Sequence, residues 1–194
     1  MSNKRNTRSV KWIQLASCVA LSACGGGSGD SGDDGPAFSS FEGISTASAT
    51  LIDTYIDEQG DPLSGVTTTA QADLPSGSVG YEGYIAGSYD GDRFIGTVTL
   101  DVQFDDAEVT GTADNFFHET TGAMSGNLSG TGNINASGPQ VTVTLTGTLD
   151  SNVTQLALDG DFLTYDGIDA AAVAGLVEGN VGTSTVDDGI FVAD

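Results

Sequence analysis

Few residues of this chain could do chemistry. It has one histidine and two cysteines, against 27 acidic and five basic residues. The histidine, His118, stands in Asn115-Phe116-Phe117-His118-Glu119. An imidazole flanked by two aromatic rings could serve as an axial haem ligand. The competing reading is a loop histidine beside an aromatic pair that caps a fold. No second ligand stands at useful spacing, which favours the cap. Asp90-Gly91-Asp92, between Tyr89 and Arg93, offers two carboxylates to a hard cation. A hairpin turn needs the same Asp-Gly chemistry, and the turn is the preferred reading. Asp187-Asp188-Gly189 reads likewise, so no metal site is expected. Ser and Asp are so abundant that a Ser–His–Asp set could be drawn through His118 almost at will. Without geometry such a set identifies no nucleophile. Carboxylate pairs are equally uninformative in so acidic a chain. The chain is therefore read as a non-enzyme, with no catalytic residues and no resident cofactor.

Cys24 carries the strongest chemical signal. Lys4, Arg5, Arg8 and Lys11 form a basic start. Trp12 to Leu21 follow as an apolar run, interrupted by Gln14 and Ser17. The run is far short of the ~20 residues needed to span a bilayer and has the pattern of an export signal. It ends in Leu21-Ser22-Ala23-Cys24: an aliphatic residue, two small residues and a cysteine. This spacing resembles the lipobox of bacterial lipoproteins. The resemblance implies removal of residues 1–23, a diacylglyceryl thioether on Cys24 and acylation of its new amino group. The aspartate linked to inner-membrane retention in enteric bacteria is missing after the cysteine, where Gly25 stands instead. Lipid anchoring at the outer membrane is the expectation.

Cleavage there would sharpen the charge. Arg93 would be the only Lys or Arg left, while all 27 acids lie after Cys24. Such a surface repels nucleic acid and anionic lipid, both of which need Lys/Arg neutralisation. Nucleic-acid binding is excluded as an expectation. A cation or a basic partner would be attracted. Cys18 would leave with the leader and Cys24 would be acylated, so no disulfide would remain. The fold must stand on its own core.

The elements that would position these residues follow from patterning. Residues 24–37 are Gly, Ser and Asp with almost nothing to bury, and read as an acidic, self-repelling tether. Asp30, Asp33 and Asp34 lack the spacing of a calcium loop. Residues 38–76 read as a partly ordered segment. Within it, Ala49 to Asp57 could be a strand or one helical turn, and a hairpin packed on the main domain is expected. Residues 77–194 alternate apolar with small or polar side chains at period two, in eight short segments. Val79, Tyr81 and Ile85 share one face of the first; Phe94, Val98, Leu100, Val102 and Phe104 share one face of the second. Eight antiparallel strands must hide their edges, and closure into an up-and-down barrel does so. Leu100, Val102, Phe104, Leu128, Val143 and Leu145 are the expected filling. Strand glycines fit where strands bend or pack closely. Asp169-Ala170-Ala171-Ala172-Val173-Ala174 has an N-cap and helix formers, so one short helical turn is expected between strands six and seven. A transmembrane barrel fits poorly, because no continuous lipid-facing apolar band is visible.

Residues 77–194 also resemble the barrel domain of the transferrin-binding protein B family of bacterial surface lipoproteins. The likeness is carried by Gly160-Asp161-Phe162, Tyr165-Asp166-Gly167, Ala171 to Gly175, and Asp188-Gly189-Ile190-Phe191. The strand, acidic turn and strand from Phe94 to Gly111 are similar as well. Family members have two lobes, each with a handle and a barrel. Here there is room for one barrel and no handle, so transferrin binding is not carried over. The resemblance implies a surface-exposed, anchored binding module acting in iron or haem acquisition, with a haem or iron-carrier ligand, or in host or partner protein binding. Two alternative classes stay open: a periplasm-facing structural or assembly lipoprotein with no small ligand, and a hydrolase using loop carboxylates, which a pocket of convergent acids would favour.

Overall fold

The computed structural model describes residues 38–57 and 59–194. Cys24 and the tether lie outside these residues. The chain order is α1 (Phe41–Tyr55), β1 (Val66–Thr68), a short 3-10 turn (Gln71–Asp73), β2 (Ser78–Tyr89), β3 (Asp92–Gln103), β4 (Glu108–His118), β5 (Gly122–Ala123), β6 (Leu128–Ile134), β7 (Val141–Leu149), β8 (Asn152–Tyr165), β9 (Ile168–Val181), β10 (Ser184–Thr185) and β11 (Asp187–Ala193).

Eight of these strands close an antiparallel barrel. β2 pairs with β3, β3 with β4, β4 with β6, and so on through β7, β8 and β9 to β11. β11 then pairs back with β2, so the barrel has no open edge. The connections are short because the turns suit the twist of the strands. Asp90-Gly91 and Asp166-Gly167 both have two consecutive positive φ angles (54° and 89°, 51° and 78°), as a two-residue hairpin loop requires. Asp150-Ser151 does the same without glycine, at 47° and 67°.

Period-two alternation turns one face of each strand inward. Leu100, Val102, Leu128, Val143 and Leu145 are buried in the barrel interior, and Phe104 packs against them from the rim. Tyr81, Phe94, Phe116, Phe162 and Phe191 are the bulkiest side chains of this filling. Glycines make room for it. A Cβ on Gly111 would lie 2.9 Å from Leu145, 3.1 Å from Leu100 and 3.2 Å from Val143.

The outer face has two characters. On β4, β6 and β7 the outward rows are polar: Thr112, Ser129 and Thr146 lie side by side, as do Thr110, Thr131 and Thr144. These rows offer hydroxyls where a lipid-facing barrel needs an apolar band. Around β2, β9 and β11 many outward residues are apolar, and α1 with Ile56 covers part of them. Ile44 packs with Ile95 and Phe117. Tyr55 and Ile56 pack with Leu163, Ala172, Ala174, Ile190 and Val192.

Two expectations are corrected. The helical turn expected at Asp169–Ala174, between strands six and seven, is the first half of strand β9. A helix so short gains few hydrogen bonds for a costly nucleus. The strand instead pairs Phe162 with Val173 and Leu163 with Ala172. The one α-helix among the described residues precedes the barrel, at Phe41–Tyr55. The Ser40 side chain caps it, accepting from Gly43 N–H at 3.1 Å. Its Ser and Thr residues hid it, because they are weak helix formers. Thr46 and Thr54 satisfy their hydroxyls on the carbonyls of Glu42 and Thr50. Asp187-Asp188-Gly189 is likewise no turn. It forms an irregularity within β11, where the register against β2 shifts between Asp187 and Ile190 and Asp188 takes φ of 50°.

Candidate functional site

The barrel is closed at both ends, so the chemistry open to a ligand lies outside. At one end the segment containing β1 crosses the mouth. Its Thr69 is buried and donates its N–H to Phe162 O at 2.8 Å. The Thr69 hydroxyl accepts from Ala170 N–H at 3.0 Å and shares a hydrogen bond with Thr164 at 2.9 Å. Gln140 completes the closure. Its amide donates to Thr69 O at 2.8 Å and accepts from Phe162 N–H at 3.0 Å. Tyr81 reaches the same place from inside, donating to Ala170 O at 2.8 Å. Burial pushes the Tyr81 hydroxyl up to about 12.

The opposite end is filled by rings. His118 ends β4 and is buried rather than in a loop. Its ring stands edge-on to Tyr89, with centroids 5.3 Å apart. Tyr89 packs on Phe94, and Phe94 on Phe116. His118 Nδ1 accepts from the backbone N–H groups of Thr120 and Thr121, both at 3.3 Å. Those bonds assign the proton of the neutral ring to Nε2. The two aromatic residues beside it separate: Phe116 enters the barrel filling, while Phe117 turns outward against α1. Phe116 and Phe117 therefore do not form one aromatic pair beside the imidazole, as either reading of the sequence had it.

Asp90 lies in a two-residue turn that Asp92 follows, and it accepts from the Ser184 hydroxyl at 2.9 Å. Among the described residues no group of three or more His, Cys, Asp or Glu side chains is placed to hold a metal ion. Arg93 donates to both carboxylate oxygens of Glu119, from Nη2 at 2.7 Å and from Nε at 3.0 Å.

A groove of about 260 Å³ lies on the outside of β8 and β9. Its floor is the paired backbone of Gly160 and Gly175, with Leu163, Ala174 and Leu176. Asp61 and Pro62 border it from the segment after α1; Gly138 and Pro139 border it from the β6–β7 connection. Asp159, Asp161 and Leu163 are alternate residues of β8, so all three face outward into it. Asp161 accepts from Gln140 N–H at 3.0 Å, linking the groove to the barrel closure. Sequence reading missed this site. Asp159 and Asp161 were visible in the sixth strand, but their partner Asp61 is about a hundred residues away in a segment with no strong pattern.

No family model, no curated protein and no solved structure matches this chain. Fold and surface therefore carry the functional argument alone.

Proposed function

We propose that this chain is an outer-membrane lipoprotein, acylated on Cys24, whose barrel is a surface-exposed, non-enzymatic module for binding another protein. One observation carries the choice of protein over haem: the barrel is filled and both mouths are closed by hydrogen-bonded or ring-packed side chains. Lipid-binding barrels of eight strands keep an interior for the ligand; this one spends it on its own core. Binding is thereby left to the outer surface, which suits a protein partner better than a buried cofactor. The anchor rests on the spacing of Leu21 to Cys24, and the likeness to the transferrin-binding protein B barrels rests on short Gly-based motifs. One part of that likeness, a helical turn over Ala171 to Gly175, is strand in this chain.

Protease shaving of intact cells, with lysed cells as control, tests the orientation. Loss of the barrel from intact cells is expected. Protection until lysis would favour the periplasm-facing structural alternative. Cys24→Ser should release the protein from the membrane fraction, since acyl burial contributes ~0.8 kcal/mol per methylene. Unchanged membrane recovery would remove the anchor. Addition of haem should give no His118-dependent Soret shift; a shift lost in His118→Ala would return haem as the ligand.

A further inference from the structure

We propose that the groove on β8 and β9 is the docking site for a basic, extended segment of the partner, with a Lys or Arg side chain among its carboxylates. The inference rests on the reading that the module binds protein on its outer surface, and names the chemistry of the contact.

Three observations carry it. The first is mixed character: an apolar floor at Leu163, Ala174 and Leu176 lies beside Asp61, Asp159 and Asp161. Leu176 is 49% exposed, so a leucine on a barrel wall is left for something to cover. The second is unused charge. Asp61 and Asp159 make no side-chain hydrogen bond among the described residues, and Asp161 makes one. The guanidinium of Arg93 is engaged with Glu119 on another part of the barrel. The third is size. About 260 Å³ is below the 300–1,000 Å³ of usual small-molecule sites, and suits an inserted side chain and its neighbours.

Charge complementarity selects the occupant. The chain's own residues 24–37 bring Asp30, Asp33 and Asp34 and no cation, so the groove would repel them. A second copy brings the same acid excess with Arg93 already paired. The cation must come from another protein. An aliphatic residue next to it would cover Leu176, and water exclusion over that contact would strengthen the ion pair.

The test uses the protein from residue 24 to 194 with Cys24→Ser, and two fluorescent heptapeptides. In one, Lys and Arg alternate with Leu; in the other, Glu replaces every cation. The basic peptide should bind and the acidic one should not. Asp159→Asn with Asp161→Asn should weaken binding at least tenfold, and Leu176→Ser severalfold. Asp105→Asn with Asp106→Asn removes the same charge elsewhere and should change it less than twofold. Amide shifts at Gly60 and Gly175 on titration give a readout independent of any variant. Equal losses in both double variants would show diffuse attraction and overturn the site. So would no binding of the basic peptide, or shifts confined to other strands. Such failure leaves the module reading standing if the protein is still acylated and shaved from intact cells. Failure of shaving and acylation sinks that reading whatever the groove binds.

Discussion

The guanidinium carbon of Arg93 lies 5.3 Å from the centre of the Phe41 ring. Arg93 is the second residue of β3 and Phe41 begins α1, so this contact pins the start of the helix to the barrel wall. The same guanidinium grips Glu119, just past β4, and holds its carboxyl below the usual glutamate range. A lowered carboxyl contributes stability above its ordinary pKa, and that contribution fades as pH falls through the lowered value. Half-exposed pairs and cation–π contacts are individually small. Arg93→Ala should therefore cost only about 1 kcal/mol. Its sharper effect should be local: faster amide exchange in the first turns of α1. Unchanged exchange there would show that Arg93 does not pin the helix.

Gln140 should matter more. Its amide serves Thr69 O and Phe162 N–H together, and both are buried. Gln140→Ala leaves two buried backbone groups without partners, at about 2–4 kcal/mol. The urea midpoint should fall with the m-value unchanged. A loss under about 1 kcal/mol would mean that water replaces the side chain and that the mouth is not sealed.

Alkaline pH should loosen the structure at two tyrosines. Tyr81 is pushed up to about 12 by burial, and Tyr55 to about 12 by burial and by the Asp194 carboxylate it donates to at 3.1 Å. A raised tyrosine contributes stability that is complete below its unfolded pKa near 10 and is lost as pH rises toward 12. Thermal midpoints should fall between pH 10 and 12. Tyr81→Phe should flatten that fall, at the cost of its bond to Ala170 O. An equally steep fall in Tyr81→Phe would assign the transition to other groups.

Two glycine substitutions should differ in mechanism. Gly111→Val pushes side-chain atoms into Leu100, Val143 and Leu145, and overpacking of this kind costs about 1–3 kcal/mol. Gly91→Ala meets nothing within 4 Å but forces φ of +89° on alanine. Its cost, about 1 kcal/mol, should come from backbone strain alone. A crystal structure of Gly111→Val with undisturbed Leu145 would refute the packing account.

Much of the barrel is legible in the chain because a barrel strand is a local pattern. Leu100, Val102 and Phe104 alternate with polar residues, and Asp90-Gly91 announces its own turn. Inward and outward faces follow from period two without knowing what lies across the interior. The excess of acids over Arg93, and the spacing that ends at Cys24, are also properties of sequence alone.

Tertiary structure decided everything that depends on distant partners. Asp169 to Ala174 have helical preference, yet β8 on one side and β11 on the other make them strand, because ladder pairing outweighs the propensity of six residues. The α1 segment has weak propensity and becomes helix because the apolar outer faces of β2, β3, β9 and β11 need covering. Phe116 and Phe117 are neighbours in sequence and part company across the barrel wall, so they form no aromatic pair beside His118. Thr69 and Gln140 meet over Phe162, and Asp61 borders the same groove as Asp159 and Asp161, only because the fold brings distant segments together. Alternation can be read along the chain, but which side chains share a mouth or a groove is set by the long-range register.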